Sequence, residues 1–321
     1  MADDIRSQAA QVSVIVPTIG RPASMRALLE SLAAQSAIPG EVLVADASAD
    51  EQTSSLVSDP GWLKRGLVIR HLRVSPPNAV RQRVAAIEAS RGEYLLLLDD
   101  DVELDARCAE EMLRGMASAP DVVAVVADFS NQRWSGPTRA WRIYMRLVLG
   151  LRDGEWEGRV VGPLLRFGFP ERREQPATMD WVGAGTTLVD RGAYESSGGF
   201  SDFFLHRSTM NEDVDLGIKL RRQGTILFWP AARMAHHHAA GGRVSVAEAA
   251  EDDVHNRYCV LSRTMGLPRW RALGMVAQFV LIESLSSLLG AVVRGSGSGF
   301  GQRLSGRVRG FLRAVSLDRA R

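Results

Sequence analysis

Cysteine is scarce in this 321-residue chain: Cys108 and Cys259 stand far apart and form no metal-ligand spacing. That excludes a zinc ribbon and a disulfide framework, and it fits a reducing compartment. Lysine is scarcer than arginine throughout, so the positive charge is nearly all guanidinium. A net charge of +2 gives no case for a nucleic-acid partner. Glycine-rich phosphate loops are missing: there is no G-x-G-x-x-G after the first predicted strand and no G-x-x-x-x-G-K-[ST]. A nucleotide here must have its phosphates held by metal and arginine. Internal repeats and long low-complexity tracts are absent. The polar, acidic start, Met1 to Arg6, is not a secretory signal peptide, which predicts a cytoplasmic location.

What is present is organised around Tyr94 to Val102. Leu95, Leu96, Leu97 and Leu98 predict a strand buried on both faces, as in the middle of a parallel sheet. It runs straight into Asp99, Asp100 and Asp101. Three like charges at the end of an apolar strand repel one another unless something neutralises them. A hard divalent cation, Mg²⁺ or Mn²⁺, takes oxygen ligands of this kind. A second reading needs no metal: Asp101 and Glu103 favour the dipole of a helix over residues 104–116.

Strands and helices alternate around this stretch. Residues 12–17 predict a strand that stops at Pro17, and Pro22 suits the first turn of a helix over 23–35. Residues 41–46 predict a second strand ending in Asp46, followed by a helix to 57. Residues 67–74 predict a third strand. Asn78 caps a helix to Ser90 that carries Arg81 and Arg83. Residues 122–128 predict a fifth strand. The rhythm implies an α/β domain with a mainly parallel sheet flanked by helices. Such sheets bind ligands at the carboxyl ends of their strands. Residues 17–21, 46–50 and 99–101 all deliver polar groups to that edge.

Residues 130–178 interrupt the pattern as an insertion. Arginines from Arg133 to Arg173 interleave there with Trp134, Trp141, Tyr144 and Trp156. A solvated helix pair accounts for this, and so does an acceptor lid meeting an anionic partner. Residues 180–190 predict a strand whose small residues let something approach the backbone. Asn211 to Leu216 opens a helix, and Thr209 to Glu212 has capping-box spacing. Residues 226–229 predict a strand leading to His236, His237 and His238.

In this order the pieces resemble the family 2 glycosyltransferases with the GT-A (Rossmann-like) fold, over about residues 10–240. The matching pieces are Val14 to Pro22, Val42 to Asp50, Arg81-Gln82, Gly92 to Asp101, Gly198-Gly199-Phe200, Asn211 to Leu216 and Pro230 to His236. Gln82 departs from the family's frequent Asn, and Ala47 from its frequent acid or amide. The resemblance implies a nucleotide-sugar donor, a divalent metal (Mg²⁺ or Mn²⁺) and a hydroxyl acceptor on a glycan or lipid-linked glycan. It places Pro17, Thr18, Ile19 and Asp46 at the base, with Arg21, Arg81 and Asp100 on the same nucleotide-sugar side. Asp99 falls on the ribose or the metal shell, Asp101 on the metal itself, and His236 in the same shell, with His238 an open alternative. Asp213 matches the catalytic base, with Glu212 beside it, which implies an inverting displacement. Trp181, Gly198, Gly199 and Phe200 fall on the acceptor side. A nucleotidyltransferase is the first competing class, and it has no need of Glu212-Asp213. A non-catalytic sugar-nucleotide-binding protein is the second, and intact acids at 99, 101 and 213 argue against it.

Residues 1–240 are therefore expected to form the catalytic domain and 241–321 a C-terminal helical appendage. Residues 272–293 are apolar but carry Gln278 and Glu283, which favours a helix packed on the core or lying at an interface over a span. Residues 295–301 predict a flexible break. Beyond it, Arg303, Arg307, Arg309 and Arg313 alternate with apolar residues. That pattern suits peripheral attachment to the inner face of an anionic membrane, and equally a solvated or oligomer-contacting helix.

Overall fold

Consecutive apolar residues turn the organising stretch into a strand with two buried faces. In the computed structural model, which describes residues 2–170, 172–205, 209–239, 244–294 and 299–317, Leu95 and Leu97 join one core layer with Ile15, Leu43 and Ile87. Leu96 and Leu98 point the other way, into a layer with Val14, Val42, Met25 and Leu28. The period of two sends successive leucines to opposite sides.

The chain runs α1 (Ala2–Ala9), β1 (Val12–Thr18), α2 (Pro22–Ala33), β2 (Glu41–Asp46), α3 (Gln52–Val57), α4 (Gly61–Lys64), β3 (Ile69–Arg73), α5 (Ala79–Ala89) and β4 (Tyr94–Leu98). It continues through β5 (Val102–Leu104), α6 (Cys108–Met116), β6 (Val122–Phe129), α7 (Arg139–Val148), β7 (Val160–Val161), β8 (Leu165–Arg166), β9 (Ala177–Met179), β10 (Thr186–Asp190) and α8 (Arg191–Ser196). It closes with α9 (Glu212–Leu220), β11 (Thr225–His236), α10 (Val246–Cys259), α11 (Arg269–Arg294) and α12 (Phe300–Ser316). The main sheet has the order β3-β2-β1-β4-β10-β6-β11-β5, with β9 also on β11. The first four strands in that order are parallel, as expected. β10 then enters antiparallel between β4 and β6, so the far half is mixed.

Several expectations are corrected. The helix expected over 104–116 begins only at Cys108, because Val102–Leu104 pairs with β11 as an edge strand. The strand expected over 180–190 is confined to Thr186–Asp190. Among its described residues the insertion holds one helix and the small β7–β8 hairpin, not a helix pair. The strand expected over 226–229 extends to His236, with its register on β6 shifting between Trp229 and Arg233. Pro230 lies in that irregularity, where its missing N–H does least harm. The break expected at 295–301 falls, up to residue 298, outside the described residues, as does the domain boundary at 240–243.

The C-terminal helices dock tightly on one another. Ser245 and Glu248 form a capping box at the start of α10. α12 crosses α10 through Gly306 and Gly310: a Cβ at Gly310 would lie 2.3 Å from the Glu251 carbonyl oxygen. Arg309 pairs with Glu251 and Arg313 with Asp252, both on α10. Gly310→Val is therefore expected to cost about 1–3 kcal/mol through overpacking. Thermal melting checks this; an unchanged melting temperature would mean that α12 does not need the close approach.

Candidate active site

The first cluster forms where β1, β2 and β4 end. Thr18 Oγ1 donates to Asp100 Oδ2 at 2.7 Å, and Arg21 donates to Asp100 Oδ1 at 3.0 Å. Asp100 is buried, and burial raises its pKa despite these two partners and with some help from Asp101. Its work is to tie the turn after β1 to the turn after β4. Gln82 Nε2 bonds the carbonyls of Thr18 and Ala45 at 2.8 and 2.7 Å, so it pins the ends of β1 and β2 together. Pro17 pairs with Ala45 in the ladder, and Ile19 is half-buried in the turn beyond it. Asp46 is fully buried; it accepts from Ser48 N–H at 2.8 Å and faces His71 and Arg73 at 3.1 and 3.3 Å.

Asp99, Asp101 and His236 each bring one ligand atom within 4.8 Å of the others. His236 reaches Asp101 from the end of β11, with Nε2 3.1 Å from Oδ1. Its ring stacks on Phe129. His237 turns to Glu103 instead, and His238 lies against Gln132. His236 is thus the histidine that closes the cluster. Burial alone would raise the Asp101 carboxyl, but His236, the Ala239 N–H and Arg21 hold it below the ordinary carboxylate range. Gly185 lets Asp99 in: a Cβ there would lie 2.3 Å from Asp99 Oδ2. This is the close approach that the small residues before β10 foreshadow.

Arg81 does not reach the carboxylates. Its guanidinium bonds the Leu205 carbonyl at 2.9 Å, which anchors the turn after α8 to α5. Arg83, two positions on and therefore about 200° around the helix, is the arginine that enters the site. It is buried, donates to Asp99 at 2.6 Å, and lies 3.9 Å from Glu212. Its partner role was hidden because residues 81 and 83 differ in sequence only by position. His71 and Arg73, on β3, were missed for a similar reason: only the ladder carries them to Asp46.

The second group of acids opens α9. Asn211 adopts a left-handed conformation (φ 72°) and makes no side-chain cap, so the capping box expected from Thr209 does not form; Asn tolerates that backbone better than most residues. Its Nδ2 donates instead to Asp253 on α10 at 2.7 Å. Asp213 Oδ1 accepts from Arg166, on β8, at 2.9 Å and from the Val214 N–H at 2.8 Å. Among the described residues Oδ2 has no protein partner. Glu212 is desolvated, and burial, then the adjacent Asp213, push its pKa up to about 8 against the pull of Arg83 and Arg166. Trp181 lies under Arg166, 5.7 Å from its guanidinium carbon to the ring centre, and among the described residues its buried Nε1 has no hydrogen-bond partner. Gly198, Gly199 and Phe200 form a turn packed on Tyr194.

Acids, a histidine and arginines gather at the strand ends of this sheet, where α/β folds bind ligands, and the arrangement matches the GT-A fold of solved glycosyltransferases. The profile described as Glycosyl transferase family 2 matches residues 13–180, and the chain belongs to that family. It is 28% identical over 250 residues, 75% of its length, to the O-antigen biosynthesis protein RfbC of Myxococcus xanthus. It is also 28% identical over 233 residues, 71% of its length, to the uncharacterized protein y4gI of Sinorhizobium fredii. The chain spans only 18% and 24% of these relatives. Among solved structures, it resembles S. aureus TarS 1-349 in complex with UDP-GlcNAc, with TM-score 0.57, 15% identity, and 95% of this chain and 81% of that one covered. It also resembles the mannosyltransferase PcManGT of Pyrobaculum calidifontis in complex with GDP-Man and Mn2+, with TM-score 0.53, 16% identity, and 97% and 87% covered.

The Glu212 environment has a consequence for stability. Its folded pKa of about 8 stands above the ordinary 4.5. Its contribution is present in full below about pH 4.5 and is lost as pH rises through about 8. Glu212→Gln stays neutral, so its melting temperature is expected to hold steadier than that of the native chain between about pH 5 and 9. Parallel curves would show Glu212 already ionised throughout.

Proposed function

We propose that the protein transfers a sugar from a nucleotide-sugar donor to a hydroxyl of a glycan or lipid-linked glycan, with inversion. The observation that carries this reading is the placement of two groups of acids on either side of Arg83. One is the Asp99, Asp101 and His236 cluster; the other is Glu212 with Asp213, whose one carboxylate oxygen is fixed and whose other has no partner among the described residues. Two carboxylate oxygens and one imidazole nitrogen make a donor set that fits Mn²⁺ or Mg²⁺. Bound there, the metal would act as a Lewis acid toward the charge that builds on the departing nucleoside diphosphate. The complexes of TarS with UDP-GlcNAc and of PcManGT with GDP-Man and Mn2+ support the donor class, and the O-antigen relative supports an envelope glycan as acceptor.

The residues then divide the work. Asp46, with the Pro17–Ile19 turn, is the candidate holder of the base. Asp100 and Arg21 keep that turn against β4. Arg83 keeps Asp99 in place and supplies positive charge on the diphosphate side. Asp213 is the candidate base: Arg166 and the Val214 N–H orient its carboxylate, and Oδ2 is left to accept the proton of the acceptor hydroxyl as the new bond forms. Glu212, protonated near neutral pH, avoids a second negative charge beside it. Trp181 with Gly198, Gly199 and Phe200 would line the acceptor side. A nucleotidyltransferase would leave Asp213 without a task.

Two substitutions separate binding from chemistry. Asp101→Ala removes a direct ligand, so calorimetry should show donor binding that no longer depends on Mn²⁺; unchanged affinity would take Asp101 out of the site. Asp213→Asn should keep donor affinity and lose transfer by roughly 10²–10⁴-fold. Near-normal release of nucleoside diphosphate by that variant would reassign the base.

A further inference from the structure

The C-terminal helices leave a large apolar face uncovered. α11 contains a stretch of 23 residues with hydropathy 1.7, long and apolar enough to cross a membrane, yet only 17% of its most apolar window is buried. The exposure is ordered. Trp270, Gly274, Ala277, Leu281, Leu285 and Leu288 recur at spacings of three and four, which puts them on one face along the helix. All six are exposed, Trp270 at 77% and Leu281 at 61%. The opposite face, with Ala272, Val276 and Phe279, is buried.

α7 and α12 pack against α11 and bring exposed side chains of their own. On α7, Ile143 and Leu147 are exposed, with Arg139, Arg142 and Arg146 exposed beside them. On α12, Val308 and Leu312 are exposed. Glu283 is the only acid on α7, α11 and α12. It is spent internally, accepting from Trp141 Nε1 at 3.0 Å and facing Arg307 at 3.5 Å. The described residues of these three helices therefore expose aliphatic side chains and arginines and no acid.

We propose that this face of α7, α11 and α12 seats the enzyme on an anionic lipid surface, with the α11 stripe in the headgroup–acyl boundary and the α7 arginines on lipid phosphates. The combination of aliphatic stripe and flanking arginines is what an interfacial helix needs. A second copy of the chain is a poorer occupant, because a two-fold contact would set arginine against arginine. A span is a poorer one too. α11 is held to the domain by Gln278 with Tyr144 at 2.9 Å, by Ser287 with Arg307 at 3.2 Å and by stacking of Phe279 on Trp141.

This placement moves the anchor from where the sequence put it. Much of the tail's charge is answered within the domain, since Arg307, Arg309 and Arg313 pair with Glu283, Glu251 and Asp252. It also bears on the acceptor. α7 leads into the β7–β8 hairpin, and Arg166 on that hairpin holds Asp213. A lipid-linked acceptor would arrive from the side of the domain that carries the base. That last step rests on the proposed transfer; the lipid contact itself does not, and vesicle binding reads it without turnover.

Co-sedimentation of the full chain with phosphatidylcholine vesicles, with and without phosphatidylglycerol, tests the proposal. The native chain should bind the anionic vesicles more tightly, and added salt should weaken that preference. Arg139→Ala with Arg146→Ala should weaken anionic binding about 25-fold, about fivefold per arginine, with little change on neutral vesicles. Leu281→Ser with Leu285→Ser and Leu288→Ser should weaken binding to both. All these positions are exposed, so melting temperatures should stay near native; if the leucine variant unfolds, the arginine variant decides alone. No binding by the native chain, or native-like binding by the variants, overturns the proposal. So does a leucine variant that turns a dimer into a monomer in sedimentation velocity without changing vesicle binding.

Discussion

Six carboxylates converge on one edge of this sheet, and the site depends on how their mutual repulsion is answered. Asp46 faces His71 and Arg73, Asp99 faces Arg83, Asp100 faces Arg21, Asp101 faces His236, and Asp213 faces Arg166. Glu212 is answered differently: burial and Asp213 favour its protonated form. Arg83 is the pivot of this arrangement, because it is the cation shared between the two groups of acids. Buried charges of this kind are costly unless paired and well oriented, so the positions of the acids and of their cations are mutually fixed.

The scaffold around the charges is built to hold that geometry. The leucines of β4 fill two core layers at once, and so fix where Asp99 to Asp101 emerge. Gln82 clamps β1 to β2, and Asn211 ties the start of α9 to α10. α10 in turn carries Arg257, which bonds the carbonyl oxygens of Pro163 and Leu164 beside the hairpin bearing Arg166. The C-terminal helices are therefore not a passive appendage: they brace the loop that presents Asp213.

Much of the fold was legible because the signals were local. Continuous apolar runs, a proline at a helix start and an asparagine at a cap each act within a few residues, and the predicted β1 to β4 half matches the observed sheet. The acids of the site were legible because charge at the end of an apolar strand is conspicuous. The resemblance points to Arg81, whereas the arginine that meets Asp99 is Arg83; the two are close in sequence, and only the direction of the helix face tells them apart. The resemblance already sets Asp213 apart as the base; the structure adds that burial raises the Glu212 carboxyl while Arg166 holds Asp213.

The sequence by itself determined the α/β rhythm, the three acids after β4 and the order of the family's motifs, since these depend on neighbours along the chain. Only the tertiary structure decided which histidine closes the cluster, which arginine bridges the acids, that β10 enters antiparallel, and that Arg309 and Arg313 pair with acids on α10. Each of those is set by a contact between residues far apart in sequence, such as Arg83 with Glu212 or Arg313 with Asp252. Ion pairing and burial are properties of space, and no pattern along the chain encodes which distant partner a charge will meet.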